Sequence, residues 1–181
     1  MCFRVNNFQL MHPKAKLHLF VLLLPVLLWP TSCRKFEEFP PEPEIAFSDF
    51  KVVVTPTGGF TGKGRLYISY RDGDGDIGLE QADTMAPFQP GGDFYYNLKI
   101  RFFERRNGVM VEQTNQNFSA RIPPLIPKNQ KRSIKGIIEY ELDVYNPNSS
   151  HDTIQYRIRL ADRALNISNE VTTPLIIRPK P

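Results

Sequence analysis

Three aspartates alternate with two glycines in Asp72-Gly73-Asp74-Gly75-Asp76, which runs on into Ile77-Gly78-Leu79. Glycines between the acids let the backbone curl until the three carboxylates face a common centre. Converging negative charges repel one another unless a cation or water screens them. A hard cation with oxygen ligands, Ca²⁺ above all, suits such a loop. Counted from Asp72, Asp74 is third, Asp76 fifth, Gly78 seventh and Asp83 twelfth, which follows an EF-hand calcium loop part of the way. Ile77 stands where that loop has its turn glycine, Asp83 is shorter than the usual final Glu, and no flanking helices are indicated. The spacing predicts a shorter calcium loop between strands, with Asp72, Asp74, Asp76 and Asp83 as candidate ligands and the ion a structural clip. The same residues also suit a tight acidic turn whose side chains accept backbone N–H bonds.

Little else in the chain points to catalysis. Beyond residue 32 the only histidine is His151, within Asn148-Ser149-Ser150-His151-Asp152, and Ser150 beside it in sequence is not a nucleophile–base pair. HExxH, GxSxG, P-loop and GxGxxG patterns are missing. Two cysteines, Cys2 and Cys33, are too few for a Cys/His zinc site. No carboxylate pair is singled out for glycoside hydrolysis. The chain is therefore expected not to be an enzyme, with a hydrolase of unknown type as the remote alternative. Phe88, Phe94, Tyr95 and Tyr96 surround Pro87, Pro90, Gly91 and Gly92; they suit either an exposed binding platform or packing at a strand start.

The elements that must position these residues repeat with a period of two. Leu66, Ile68 and Tyr70 alternate with polar neighbours, as do Leu98, Ile100 and Phe102. So do Ile138, Tyr140, Leu142 and Val144, and Ile154, Tyr156, Ile158 and Leu160. One apolar and one polar face per run is the signature of half-buried antiparallel strands. Residues 47–55, 109–113 and 175–178 are further strand candidates, and Asn107-Gly108 signals a type I′ hairpin. About seven strands with Gly, Pro and Asn turns predict an all-β fold, a single immunoglobulin-like antiparallel sandwich over 45–181. Residues 79–93 and 122–132 are expected to be long loops. The only tryptophan, Trp29, lies outside this region, so the core must rest on Phe, Tyr, Ile, Leu and Val.

Ahead of the sandwich, residues 17–29 (LHLFVLLLPVLLW) follow Lys14 and Lys16 and precede Pro30-Thr31-Ser32-Cys33. A basic start, a short apolar run and small residues describe a secretory signal peptide. Thirteen helical residues rise only about 20 Å, short of the roughly 30 Å hydrocarbon core. Met11 gives an equally complete start. Cys33 after Thr31-Ser32 looks like a bacterial lipobox, although Pro30 replaces the usual aliphatic residue. The expected organisation is a lipoprotein signal peptide over 1–32, a lipidated Cys33 with an extended Pro/Glu-rich tether over 33–44, and the sandwich. Acylation of the thiol and the new amino group would anchor the chain to a membrane. The net charge of +4 owes three units to Arg4, Lys14 and Lys16, leaving 20 basic against 19 acidic residues beyond the leader. A nearly neutral body has no electrostatic reason to hold nucleic acid.

Three stretches together resemble a known family. These are DGDGDIGL after a strand, Ile134-Lys135-Gly136 at a strand entry, and Asp162-Arg163-Ala164-Leu165-Asn166-Ile167-Ser168-Asn169 before Thr173-Pro174. They are similar to Bacteroidota lipoproteins with one Ig-like sandwich behind a lipobox. The resemblance implies fold and compartment, an outer-membrane lipoprotein at the periplasmic or cell-surface face, and implies no activity. Lys35-Phe36-Glu37-Glu38 resembles the surface-export signal of such lipoproteins, or serves as a solvated spacer. Asp83-Thr84-Met85 and Asp152-Thr153-Ile154 match the O-glycosylation pattern of those bacteria, making Thr84 and Thr153 candidate sites. The 162–169 segment resembles the ending of many bacterial Ig-like domains, where the Asp and Asn fix a turn. Alternatively, Asp162 lies at the same end as Asp72, Asp74 and Asp76 and completes a cation site. The expected role is a non-catalytic binding or structural module, calcium-stabilised, contacting an envelope protein or a glycan. The alternative is a glycan-binding accessory of an outer-membrane uptake system.

Overall fold

The computed structural model describes residues 37–127 and 130–178, and among these there are eight strands and no helix. They are β1 (Glu44–Val54), β2 (Phe60–Asp72), β3 (Leu98–Arg106), β4 (Val109–Glu112), β5 (Ile134–Asp143), β6 (Thr153–Leu160), β7 (Val171–Thr172) and β8 (Ile176–Ile177). One sheet has the order β1-β2-β5; the other runs β4-β3-β6-β7, with β8 also on β6. All pairings are antiparallel. The chain is an all-β sandwich, as the alternating pattern requires.

The apolar phase of each run faces the core: Leu66, Ile68, Leu98, Ile100, Phe102, Ile138, Leu142, Val144, Ile154, Tyr156, Ile158 and Leu160 are all buried. Burying each such side chain contributes about 1.5–3 kcal/mol. Tyr156 sits at the centre, its ring 5.4 Å from Phe102, 5.5 Å from Phe118 and 6.1 Å from Phe50. Asn107 and Gly108, at φ 50° and 82°, make the β3–β4 turn that their sequence signalled.

Three features were not readable from period two. β1 breaks phase because Phe47 pairs Ile68 while Asp49 pairs Tyr67, leaving Ser48 as a bulge. The bulge lets both Phe47 and Phe50 pack on the core. Phe103, on the polar phase of β3, is nevertheless buried, because Arg157 and Arg101 lie over its ring at 4.4 and 5.2 Å. The final edge is split into β7 and β8 around Thr173-Pro174. Proline has no N–H for the ladder, and Thr173 Oγ1 instead accepts the Tyr156 N–H at 3.1 Å.

Candidate metal centre

Asp72 ends β2, held in register by its pairing with Ile134 of β5, and is wholly buried. Its Oδ2 accepts the N–H groups of Gly75 at 2.7 Å and Asp76 at 3.1 Å, which folds the acidic loop back beneath its own first carboxylate. Gly75 is required there: its φ is +75°, and a Cβ would lie 2.5 Å from the Arg132 carbonyl oxygen. Asp76 reaches the other sheet. Its Oδ2 accepts the Ala164 N–H at 3.0 Å and its carbonyl the Arg163 N–H at 3.3 Å, while Ile77 bridges to Asp162.

Asp162 lies just beyond β6 and is buried. Asn166 holds it, donating its N–H to Oδ1 at 2.7 Å and its side-chain amide to Oδ2 at 2.8 Å. One carboxylate oxygen from each of Asp72, Asp76 and Asp162 falls within 4.8 Å of the others. Asp74 borders this group, its carbonyl accepting the Arg132 N–H at 3.2 Å. The Oδ1 atoms of Asp72, Asp74 and Asp76 are each buried and accept no hydrogen bond among the described residues. Arg163, adjacent in sequence to Asp162, directs its guanidinium to Asp83 instead. Among the described residues no Lys or Arg pairs with any of the four acids.

Two unit charges 4.8 Å apart at an effective dielectric of 20 repel by about 3.5 kcal/mol. Three such pairs would approach the whole stability of a domain. The carboxylates must therefore share protons or a cation. Burial, followed by the charges of Asp74, Asp76 and Asp162, pushes the Asp72 carboxyl up to about 7, against the Gly75 hydrogen bond. Burial, then Asp162 and Asp74, pushes Asp76 up to about 6. Burial also raises Asp162, opposed by the two bonds from Asn166. The donors are all hard carboxylate oxygens, the chemistry of Ca²⁺ or Mg²⁺ rather than of thiolate- or imidazole-loving metals.

The structure thus gathers Asp72 and Asp76 with Asp74 at their side, and adds Asp162. Asp83 is placed apart from this set: it accepts the Glu80 N–H at 2.8 Å and pairs with Arg163, bracing the loop that follows β2. Thr84 is exposed; Thr153 is buried, its hydroxyl donating to Asp152 at 3.1 Å, so of the two only Thr84 is accessible to a glycosyltransferase. Cys33 and the 1–32 leader lie outside the described residues. Phe88, Phe94 and Tyr95 are half-buried against Arg163, Lys99 and Arg121, and Tyr96 lies against Tyr95. Each ring is thus half-buried rather than part of an open strip.

A second buried charge was missed altogether. Glu104, 2% exposed, receives Arg178 Nη2 at 2.8 Å on Oε1 and Arg106 Nη2 at 2.9 Å on Oε2. A signal existed: Asp72 continues the inward phase of Leu66, Ile68 and Tyr70, Glu104 that of Leu98, Ile100 and Phe102, and Asp162 that of Ile158 and Leu160. Each acid occupies the next inward-facing position of its run. Comparison with family models, curated proteins and solved structures found no match for this chain.

Proposed function

We propose that this protein is a lipid-anchored, non-catalytic module of the bacterial outer membrane, an Ig-like sandwich that binds or supports another envelope component and is stabilised by Ca²⁺. The observation that carries the calcium part is the set of buried Oδ1 atoms on Asp72, Asp74 and Asp76 that accept no hydrogen bond among the described residues. Asp72 and Asp162 are buried, and Asp74 and Asp76, which border a cavity of about 270 Å³, turn their Oδ1 atoms inward, which favours a structural ion over hydrolysis. The Ig-like part is supported by strand order. β1-β2-β5 against β4-β3-β6-β7 corresponds to A-B-E against C′-C-F-G of immunoglobulin-type sandwiches. The anchor rests on the basic start, the 17–29 apolar run and Cys33.

Intact mass of the protein purified from its native membrane tests the anchor. The expected mass is that of residues 33–181 plus a glycerol and three acyl chains, with hexose-sized increments if Thr84 is modified. An uncleaved mass contradicts it. A glycan-binding accessory is the second reading, favoured by two adjoining cavities of about 240 and 310 Å³ at the opposite end from the acids. Gln116 and Asn146 line both, beside Asn115, Asn148 and the half-exposed Tyr145. Neutral amides next to an aromatic ring match the hydroxyls and C–H face of a saccharide. Binding of neutral oligosaccharides that is lost in Gln116→Ala would favour that reading.

A further inference from the structure

We propose that Asp162 completes the calcium site from the second sheet, so that one Ca²⁺ clasps the two sheets together at this end of the sandwich. The inference rests on the calcium reading of the Asp72, Asp74 and Asp76 loop and says what that ion joins. Asp72 belongs to β2 in the β1-β2-β5 sheet, and Asp162 extends β6 in the other. The two are 90 residues apart in sequence yet both lie on the inward phase of their strands, so closing the sandwich brings them face to face.

Three observations support a shared ion. Two oxygens bound to one Ca²⁺ at its usual 2.3–2.6 Å lie at most about 5 Å apart, and the oxygens of Asp72, Asp76 and Asp162 already lie within 4.8 Å of one another. Mg²⁺, with bonds of about 2.0–2.1 Å, demands a near-ideal octahedron and keeps several waters, which a ligand set drawn from two sheets suits less well. The larger, more tolerant ion fits the set as it stands. Secondly, each of these carboxylates is oriented from outside by a bond that leaves capacity for a metal. Asp72 has the Gly75 and Asp76 N–H groups on Oδ2, Asp76 has the Ala164 N–H on Oδ2, and Asp162 has one Asn166 bond on each oxygen. Such outer bonds fix metal ligands in place. Thirdly, the wholly buried Asp72 retains an Oδ1 without a hydrogen-bond partner among the described residues. Four carboxylates and a few waters make the six to eight oxygens that Ca²⁺ takes.

The rival geometry is a purely local loop closed by Asp83, and the two separate by titration calorimetry with Ca²⁺ alone on the full-length chain in detergent. Asp162→Asn is expected to weaken Ca²⁺ binding at least about tenfold, as loss of a charged ligand does. Asp83→Asn should leave it within about twofold. Binding to the parent that Asp162→Asn leaves unchanged overturns the clasp while the loop remains a calcium site; no binding to the parent removes both. Should Asp162→Asn not fold, amide hydrogen exchange on the parent decides. Ca²⁺ is expected to slow exchange at Ala164 and Asn166 as well as at Gly75 and Asp76, and slowing confined to Gly75 and Asp76 overturns the proposal.

Discussion

Glu104 and Asp72 are both buried carboxylates, each one step beyond the apolar inward series of its strand, at opposite ends of the same sandwich. Around Glu104 the chain supplies its own countercharge. Arg178 and Arg106 take its two oxygens, and Arg178 is itself fixed by Ser149 Oγ at 3.0 Å and the His151 carbonyl. Burial works against ionisation there, yet bonds from Arg106, Ser149 and Arg178 hold the carboxyl below its ordinary value. Around Asp72 the nearby charges are other aspartates, and its carboxyl is pushed up instead. The same fold thus neutralises one buried acid internally and gathers two buried and two half-buried aspartates at its other end with no Lys or Arg paired to them among the described residues. The first arrangement is complete on folding. On the calcium reading proposed above, the second would make stability a function of an external concentration.

Removing the internal countercharge should produce the largest effect. Arg178→Ala leaves Glu104 buried with Arg106 alone, and is expected to cost about 3 kcal/mol, toward the lower end for a broken buried pair. Urea unfolding would measure it, and a loss below about 1 kcal/mol would mean that Arg106 or water serves Glu104 equally well.

At the acidic end the sign should depend on calcium. In chelator, Asp76→Asn removes a repulsive charge and is expected to raise stability by about 1–2 kcal/mol; in saturating Ca²⁺ the same change removes a ligand and lowers it by a similar amount. Paired denaturant curves check this, and a loss under both conditions would show that Asp76 acts through its Ala164 bond alone.

Acid should also separate the two ends. Asp72 and Asp76 have folded values of about 7 and about 6, above their unfolded value of 3.8. The folded state therefore binds more protons, and its advantage, complete below the unfolded value, is lost as pH rises through the folded ones. In chelator, the melting temperature should fall between about pH 5 and 8, and Asp72→Asn with Asp76→Asn should flatten that slope. Glu104 has the opposite sign. Its contribution is present above its unfolded value of 4.5 and is lost as pH falls through its lowered folded value. A parent profile flat from pH 5 to 8 in chelator would contradict the description of the acidic end.

The smallest effect should come from a carboxylate at neither kind of site. Asp143 pairs with Lys63 at 2.5 Å, but both side chains are largely exposed. Asp143→Asn should change stability by no more than about 0.5 kcal/mol. A larger loss would mean that location in this fold matters more than burial.

Most of the sandwich was legible because period two is a local property: twelve inward residues follow directly from four alternating runs. The Ser48 bulge was not, since a phase shift depends on the partner strand's register. Phe103 was not, because its cover comes from Arg157 on β6. The acidic loop announced itself through glycine spacing, so Asp72, Asp74 and Asp76 could be named from sequence. Asp83 met the spacing of a helical calcium loop, but the turn it closes with Glu80 carries it to Arg163. Asp162 stood as an alternative only, because distance between residues 90 apart in sequence is set by sheet packing. Extending each strand's phase by one more step would have marked Asp72, Glu104 and Asp162 as inward-facing acids.

The central claim, that the acidic end is finished by calcium, is tested most directly by thermal unfolding of the full-length chain in EGTA and in increasing Ca²⁺. Ligand at a hundred times its dissociation constant stabilises by about 2.7 kcal/mol, so a saturable rise of roughly 5–10 °C is expected, absent from the Asp72→Asn/Asp76→Asn double variant. A melting temperature unchanged up to about 10 mM Ca²⁺, well above the weakest extracellular calcium sites, would contradict it.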